Sequence, residues 1–530
     1  MNRLPRRLLV ALVAPPAAFL VVFYVWPFVT LLARGLTDGS DVLGRSATWE
    51  VVWFSLWQAA VSTVLTIAAG LVPAYVVARF RFPGRRLLSG LLTSVFVLPT
   101  VVMGAAMLAL LPASLERSVW AIVAAHVAFN LAVVVRTVGA VWEHLPTDLE
   151  AAAATLGARP LRVVARITLP LLRPALTAAA SIVFLFTFTS FGVIRILGGG
   201  RRATVEVEIW RRATQLGDVG AAAVLSVVQL VVLGVLVVWG GASARRHSRA
   251  LALRPVARRQ RARRPGERAL VVTTVCLTSV VIAAPLVALV ERSLRAASGY
   301  SIAAWRDLGD VEVRPGVSTG IDPVAALLTS LRIAAAATVL SIVLGALATL
   351  AIAATRRAGR LLDTGVMLPI GTSAVTIGFG MLITFDQAPF DWRASAWLIP
   401  VGHALVALPF VVRVALPVLR GVDPQLLHAA ATLGASPTRA WRAITLPHLR
   451  RPLVVAAGFA AAISLGEFGA TSFLSRSGSE TMPIVIERLL GRTGTLLQAQ
   501  GYALATILAA VTIAVVLLLD RDGGADARRA

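Results

Sequence analysis

Long apolar segments alternate with short polar ones along the whole chain. The first, 8–32, follows a basic N-terminus and is longer than the roughly 7–15 apolar residues of a secretory signal, so we interpret it as an uncleaved membrane helix. About 20 apolar residues span a bilayer core. The pattern predicts twelve such helices, at 8–32, 53–78, 87–112, 119–140, 176–197, 219–240, 269–290, 326–354, 362–385, 395–416, 453–474 and 500–519.

The second half of the chain repeats the first. Ala-Thr-Leu-Gly-Ala at 154–158 recurs at 431–435, and Ile-Thr-Leu-Pro at 167–170 recurs at 444–447, both at an offset of 277. An internal repeat of this size indicates two related halves. Six helices in each half give both the same orientation, as in transporters built from parallel repeats. The predicted fold is all-α, a polytopic membrane protein with two tandem parallel six-helix domains, 1–242 and 269–530, joined by a basic linker, 243–268.

Composition and charge support a membrane protein and set its orientation. The chain is 57% hydrophobic and only 15% charged, against about 25% charged in soluble domains, which excludes an ordinary soluble enzyme. All 51 basic residues are Arg, and 32 of them fall on the side of both termini and the linker. The positive-inside rule therefore predicts that both termini are cytoplasmic, in a bacterial plasma membrane.

Candidate chemistry within the chain is sparse. Without any Lys the chain has no standard P-loop, so ATP hydrolysis would require a separate subunit. The single Cys276 and six scattered His show no metal-ligand spacing. We expect no metal, no cofactor and no catalytic residue.

The loop between the fourth and fifth predicted helices has a structure of its own. Thr147 and Glu150 form a capping-box pattern, Ala-rich sequence follows, and Gly157 is placed to end the helix before a second short one. In the second half, Asp423 and Gly434 take the corresponding places. Each half is therefore predicted to carry a helix–glycine–helix elbow on the cytoplasmic side.

These elbows resemble the EAA loops of ABC importer permeases. Gly157 precedes Pro170 by 13 residues, and Gly434 precedes Pro447 by the same 13. The resemblance covers nearly the whole chain as two fused permease domains. It implies a membrane subunit that works by alternating access, with a solute-binding protein outside and ATPase subunits, two in number, on the elbows.

The resemblance assigns a set of elbow residues to ATPase coupling. They are Glu150, Ala152, Ala153, Gly157, Ala158, Leu169, Pro170, His428, Ala429, Ala430, Gly434, Ala435, Leu446 and Pro447. The chain departs from the family at the glutamate, whose place is taken by Ala151 and His428. Glu150 lies one residue early, so it either contacts a partner or only caps the helix.

A second group of residues is expected to line the translocation path. Glu467 is a carboxylate within a predicted span, where charge is costly and usually faces the bundle interior. The alternatives are a Glu hydrogen-bonded between helices or one near the outer interface. With their counterparts in the other half, the candidates are Ser190, Phe191, Gly192, Glu467, Phe468 and Gly469. The outer loops 198–218 and 475–499 resemble surfaces that meet a binding protein, with plain surface exposure as the alternative.

Substrate and transport class remain open between stated alternatives. The fused layout resembles thiamine and ferric-iron permeases, and Ser-Leu-Gly-Glu-Phe-Gly-Ala-Thr at 464–471 resembles thiamine and oxyanion permeases, so thiamine is favoured. The rival class is a gradient-driven secondary transporter of twelve helices, which the doubled elbow and the few intramembrane acids disfavour. A membrane-embedded lipid transferase would need a cluster of acids or histidines that the sequence does not show.

Overall fold

Helices account for most of the chain that the computed structural model describes. The described residues are 6–37, 39–200, 202–248, 259–296, 299–309, 311–314, 317–318, 320–386, 389–392, 395–476 and 478–524. The helices of the first half are α1 (Arg6–Leu20), α2 (Trp26–Thr37), α3 (Gly39–Leu43), α4 (Ser46–Arg79), α5 (Arg85–Val97), α6 (Thr100–Leu110), α7 (Val119–Trp142), α8 (Thr147–Thr155), α9 (Pro160–Val163), α10 (Leu169–Phe188), α11 (Gly192–Leu197), α12 (Val205–Trp210) and α13 (Val219–Ser248).

The second half repeats this order of long and short helices. Its helices are α14 (Pro265–Ser293), α15 (Ala303–Arg306), α16 (Pro323–Ala354), α17 (Arg357–Met367), α18 (Ala374–Thr384), α19 (Leu398–Arg420), α20 (Pro424–Thr432), α21 (Pro437–Ala440), α22 (Leu446–Gly466), α23 (Thr471–Leu474), α24 (Met482–Leu490) and α25 (Thr495–Gly524). Short π-helical turns occupy Val21–Val25, Val164–Thr168, Arg211–Gln215 and Trp441–Thr445, and a 3₁₀ turn occupies Leu368–Gly371.

Strands are limited to short pairs in the described residues. They are β1 (Phe80–Arg81), β2 (Gln260–Arg261), β3 (Arg295–Ala296), β4 (Gly299–Tyr300), β5 (Glu312–Arg314) and β6 (Val317–Ser318). β1 pairs with β2 in parallel, while β3–β4 and β5–β6 are antiparallel. The β1–β2 pair joins the end of α4 to the basic linker, so part of the linker lies against the first half.

Ten described helices are long and apolar enough to cross a membrane, and two bent helix pairs bring the number to twelve if each pair counts as one span. The pairs α5–α6 and α17–α18 bend by 108° and 103°. In the first pair, Leu98 is extended because the ring of Pro99 disfavours the helical conformation in the residue before it. The predicted polytopic all-α fold is confirmed, and the segments predicted as spans at 87–112 and 362–385 are sharply bent helix pairs.

Two of the predicted spans had wrong bounds. The span predicted at 176–197 is a helix over Pro160–Phe188, followed by a break and the short α11. The span predicted at 453–474 is likewise a helix over Trp441–Gly466, followed by a break and α23. An apolar window does not detect these breaks because the residues on both sides of each break are mostly apolar.

The first helix of each half packs against the other half. α1 contacts α16, and α2 contacts α18, where the hydroxyl of Tyr24 shares a hydrogen bond with Thr372. In return, α14 contacts α6, and Arg292 donates to the carbonyl of Ala109 at 3.2 Å. The largest hydrophobic cluster accordingly contains residues of both halves, so the two six-helix units share one core.

Candidate functional site

Both elbows have the predicted helix–glycine–helix geometry. Elbow one comprises α8 and α9, and elbow two comprises α20 and α21. Gly157 and Gly434 have φ values of +79° and +78°, which L-residues with a side chain rarely adopt. In elbow one the amide of Ala158 bonds the carbonyl of Ala153 at 3.0 Å, a Schellman bond that satisfies an otherwise unpaired carbonyl at the helix end.

The same Schellman bond closes elbow two. The amide of Ala435 bonds the carbonyl of Ala430 at 2.9 Å, and the amide of Gly434 bonds the carbonyl of Ala431 at 3.0 Å. Asp423 caps the helix as predicted, since its carboxylate accepts from the amide of Gln425 at 2.8 Å. The two elbows are therefore equivalent in backbone conformation, position by position.

Exposed leucines lie on both elbows, and the sequence reasoning missed them. Leu156 is 89% exposed and Leu433 is 87% exposed, and each directly precedes its elbow glycine. Leu149 and Leu426 lie about two helix turns earlier, and each is 47% exposed. All four follow the offset of 277, which was the signal that could have identified them. Apolar side chains exposed at equivalent positions of both elbows are candidates for a protein interaction surface.

The predicted coupling residues differ in how far they reach the surface. Exposed members are Ala152, Gly157, His428, Ala429, Gly434, Leu446 and Pro447. Partly buried members are Glu150, Ala153, Ala158, Leu169, Pro170, Ala430 and Ala435. The alanines on the inner side allow each elbow to lie close to the spanning helices, while the outer side is open.

Glu150 attaches elbow one to the end of α4. Its carboxylate lies 3.3 Å from Nη2 of Arg79 and accepts from the hydroxyl of Thr168 at 3.0 Å. The predicted capping box is wrong, because Pro146 occupies the N-cap position and the carboxylate of Glu150 is directed to these two partners. The bond to Arg79 joins residues 71 positions apart, which local sequence patterns cannot reveal.

Elbow two has different residues at the equivalent places. Leu427 corresponds to Glu150 at the offset of 277. Arg79, the last residue of α4, corresponds at an offset of 275 to Ala354, the last residue of α16, so the ion pair has no counterpart there. Instead, Leu427 and His428 line a cavity of about 800 Å³ between the elbow and the ends of α16, α17 and α19. Both halves therefore have the elbow, but the ion pair that joins elbow one to α4 is absent from elbow two.

At the centre of the molecule, two equivalent phenylalanines touch across the halves. The ring centroids of Phe191 and Phe468 lie 5.0 Å apart, and each residue is 5% exposed. Because their numbers differ by the repeat offset, this contact lies where the two halves meet symmetrically. Gly192 and Gly469 follow them, and a Cβ at Gly192 would lie 2.4 Å from Oγ1 of Thr100. These glycines therefore permit the close approach of α11 and α23 to the bent helix pairs.

Glu467 is buried and hydrogen-bonded within the second half. Its carboxylate accepts from the amides of Ala470 and Thr471 at 3.0 Å each, and from the hydroxyl of Thr471 at 2.8 Å. Nε2 of His403 lies 3.3 Å from the same carboxylate. Ser190, its counterpart in the first half, is buried as well. Glu467 thus stabilises the N-terminus of α23 directly beside the phenylalanine pair.

Two further ionisable contacts cross between the halves near this centre. Arg195 of α11 forms an ion pair with Glu487 of α24, and its guanidinium carbon lies 3.9 Å from the ring centroid of Trp210. Glu206 of α12 is hydrogen-bonded to Ser373 and accepts from Gln229 at 2.6 Å. Sequence reasoning did not single out Glu206, because no local spacing marks a carboxylate that is buried by residues far away in the chain, here Gln229 and Ser373.

The outer loops 198–218 and 475–499 are partly buried and partly exposed. α12 and α24 lie inside the bundle, with Ile209 and Ile486 fully buried. Equivalent serines bind their first turns, since Ser55 accepts from the amide of Val205 at 2.9 Å and Ser330 from that of Met482 at 2.8 Å. Exposed residues are found at 199–200, 211, 214–217, 476, 478, 488 and 491–496.

Metal chemistry has no support among the described residues, where no group of three or more His, Cys, Asp and Glu is placed to hold an ion. The phenylalanine pair, the elbows and the buried carboxylates therefore make up the candidate site.

Comparison with known proteins identifies the family. Residues 67–246 match the family model described as the binding-protein-dependent transport system inner membrane component. The permease protein PhnV of Salmonella paratyphi A (strain ATCC 9150 / SARB42), named for 2-aminoethylphosphonate transport, is 30% identical over 200 residues, which cover 37% of this chain and 73% of PhnV. The chain belongs to this family. It is a multi-pass inner-membrane permease subunit of an ABC importer.

Relatives that match nearly the full length of the permease are thiamine transport system permease proteins named ThiP. The protein of Escherichia coli (strain K12) is 28% identical over 477 residues, covering 86% of each chain. The protein of Brucella melitensis biotype 1 is 27% identical over 516 residues, covering 93% of this chain and 92% of the relative. These alignments extend through both halves, in agreement with a fused permease.

Proposed function

We propose that the chain is the membrane subunit of an ATP-driven importer, in which the two elbows receive force from ATPase subunits. The observation that carries this proposal is the pair of equivalent elbows, each closed by a Schellman bond and each exposing a leucine at its apex. A gradient-driven carrier has no need of two such surfaces. The positive-inside distribution of arginines supports a cytoplasmic location for both elbows and both termini.

A single helix connects each elbow to the phenylalanine pair. The helix Pro160–Phe188 begins in elbow one and ends three residues before Phe191. The helix Trp441–Gly466 begins at elbow two and ends two residues before Phe468. The first is roughly 40 Å long at about 1.5 Å per residue, so a tilt imposed at the elbow moves its far end.

Alternating access follows from this arrangement. With Phe191 and Phe468 in contact, two apolar rings close the centre of the bundle. When ATPase subunits on the elbows close or separate, the connecting helices tilt and the rings part. The chain itself transmits motion, and ATP hydrolysis takes place on its partners. A solute-binding protein delivers the solute at the outer loops.

Thiamine is the proposed solute. The support is that thiamine permeases match nearly the whole length of both halves.

The test is transport in vesicles that contain the chain, its ATPase and its binding protein. We expect thiamine uptake that requires ATP inside the vesicle, and no uptake of 2-aminoethylphosphonate. Uptake of 2-aminoethylphosphonate instead would reassign the substrate and leave the importer intact. Uptake by the chain alone, driven by an ion gradient, would overturn the importer and favour the secondary transporter.

A further inference from the structure

The cavity beneath elbow two is strongly basic. Its volume is about 800 Å³, and Arg356, Arg360 and Arg420 line it together with the partly buried Asp363. Among the ion pairs of the described residues, none involves these three arginines. Three guanidinium groups thus share one small space with a single carboxylate.

At the equivalent place in the first half, a carboxylate of the protein itself pairs with two arginines. Arg420 corresponds to Glu143, which lies 3.2 Å from Arg85 and 2.9 Å from Arg259 of the linker. The linker also covers this place, since β2 pairs with β1. The second half has Arg in place of Glu, so the carboxylate that pairs two arginines in the first half is replaced by a third positive charge.

The inner walls of the cavity are apolar, whereas its rim carries the three arginines. Leu350, Ile352, Leu419 and Trp441 line the interior. Leu361, beside Arg360, is 70% exposed on the outside of α17. A cavity at the cytoplasmic ends of spanning helices, apolar within and basic at its mouth, matches the form of sites that hold anionic headgroups.

We infer that this cavity binds a phosphate ester, with the phosphate held by Arg356, Arg360 and Arg420 and the organic part against the apolar wall. Guanidinium groups form short, paired hydrogen bonds to phosphate oxygens. The ligand supplies in the second half the negative charge that Glu143 supplies in the first. It also fills the space under α20 and so supports elbow two, as Arg79 and Glu150 support elbow one.

Two sources can provide this group: an anionic phospholipid of the cytoplasmic leaflet or a soluble organic phosphate. The experiment uses the full transporter with its ATPase, purified and placed in nanodiscs of phosphatidylcholine with or without phosphatidylglycerol. Native mass spectrometry counts the lipids retained on release. In a second arm, sn-glycerol 3-phosphate is titrated against the same complex in phosphatidylcholine alone.

The variant R356Q/R360Q/R420Q removes the three charges, and R357Q is the matched control on the same helix outside the cavity lining. We expect the wild type and R357Q to bind phosphatidylglycerol or glycerol phosphate about tenfold or more tightly than the triple variant, since charge-assisted hydrogen bonds are lost. Retention of phosphatidylglycerol assigns a lipid, and binding of glycerol phosphate alone assigns a soluble ester. Equal binding by wild type and triple variant in both arms would overturn the site.

A second variant, which introduces a carboxylate at position 420, distinguishes loss of the site from a folding defect of the triple variant. Arg420→Glu copies Glu143, and we expect it to pair with Arg360, to remain folded and to lose the ligand. An R420E protein that keeps wild-type binding contradicts the proposal, whatever the triple variant does. This inference does not depend on which solute the importer carries.

Discussion

Elbow one and elbow two have the same backbone and different attachments. Gly157 and Gly434 share a positive φ and the same Schellman bond, and Leu156 and Leu433 are equally exposed. Inside, elbow one is joined to α4 through the carboxylate of Glu150, while elbow two lies over a cavity. The outer surface has been kept through the duplication, and the inner contacts have diverged.

The difference indicates which features the function constrains. In the proposed function two similar ATPase subunits bind the elbows, and such binding would require the two surfaces to stay equivalent; the recurrence of the glycine and the exposed leucine agrees with this proposal. The inner side meets only the chain's own helices, and there one half can use an ion pair and the other a cavity. The central contact of Phe191 and Phe468 resembles the outer surface of the elbows in this respect, because equivalent residues of the two halves meet each other there.

The largest expected effect comes from disrupting both elbows at once. Proline cannot adopt φ near +79°, so G157P/G434P breaks the Schellman geometry in both halves. We expect ATP-driven uptake to be lost and ATPase co-purification to fall, while the protein stays folded in the membrane. G84P is the control, since Gly84 has the same φ of +79° in a cytoplasmic turn outside the elbows. Normal uptake by the double variant would show that the elbows do not couple.

Removing either ring at the centre is expected to open a leak. F191A and F468A each remove one side of a contact at 5.0 Å, and the two should leak equally because the residues are equivalent. The measurement is solute efflux from vesicles without ATP. F379A is a control, as Phe379 is equally buried but packs within the second half. A leak in only one of the two variants would mean that the halves are unequal at the gate.

A smaller effect separates the two buried histidines. The side chain of His403 is within hydrogen-bonding distance of Ser464, Thr471 and Glu467, whereas that of His126 has one hydrogen bond among the described residues, to Ser62 at 3.3 Å. H403A leaves the Glu467 carboxylate short of a partner, which costs about 1–3 kcal/mol. We expect H403A to lower the thermal unfolding temperature in detergent clearly more than H126A. Equal losses would mean that the contacts of His403 add nothing beyond packing.

The smallest effect tests the attachment of the elbows directly. E150L copies the second half into the first, and L427E places a carboxylate among the arginines of the cavity. The ion pair of Glu150 is partly exposed, with Arg79 at 11% and Glu150 at 30%, so we expect a change of about 0.5–1 kcal/mol. Hydrogen exchange in α8 should rise in E150L, and exchange in α20 should fall in L427E. If hydrogen exchange stays unchanged in both helices, the proposed difference in attachment between the two elbows is wrong.

Local signals were sufficient to predict the elbows. Two local patterns place the helix ends within a few residues: a glycine after an Ala-rich helix, and Asp423 before Pro424. The glycine pattern occurs in both halves, which strengthened the prediction. Ten membrane helices could be predicted because bilayer thickness fixes the length of an apolar segment, whereas the same signal did not reveal the sharp bends at the other two predicted spans. The wrong bounds of the fifth and eleventh spans arose because residues on both sides of each break, such as Phe188 and Ile194, are apolar.

Contacts between distant segments could not be predicted. Glu150 meets Arg79 across 71 positions, and Arg195 meets Glu487 across 292. No local spacing rule relates residues so far apart in the sequence. Hydrophobic periodicity shows which face of a helix is buried but not which helix packs against that face. The repeat identified Phe191 and Phe468 as equivalent residues, yet only the packing of the halves shows that they touch.

The central claim is that the elbows control the contact between Phe191 and Phe468. The most direct test is thiol cross-linking of F191C/F468C in a C276S background, since Cys276 is the only cysteine of the chain. The account predicts cross-linking in the transporter without nucleotide, loss of cross-linking when a non-hydrolysable ATP analogue and the binding protein are added, and no such loss when G157P/G434P is present. Cross-linking that is unchanged by nucleotide in the protein with intact elbows would contradict the account.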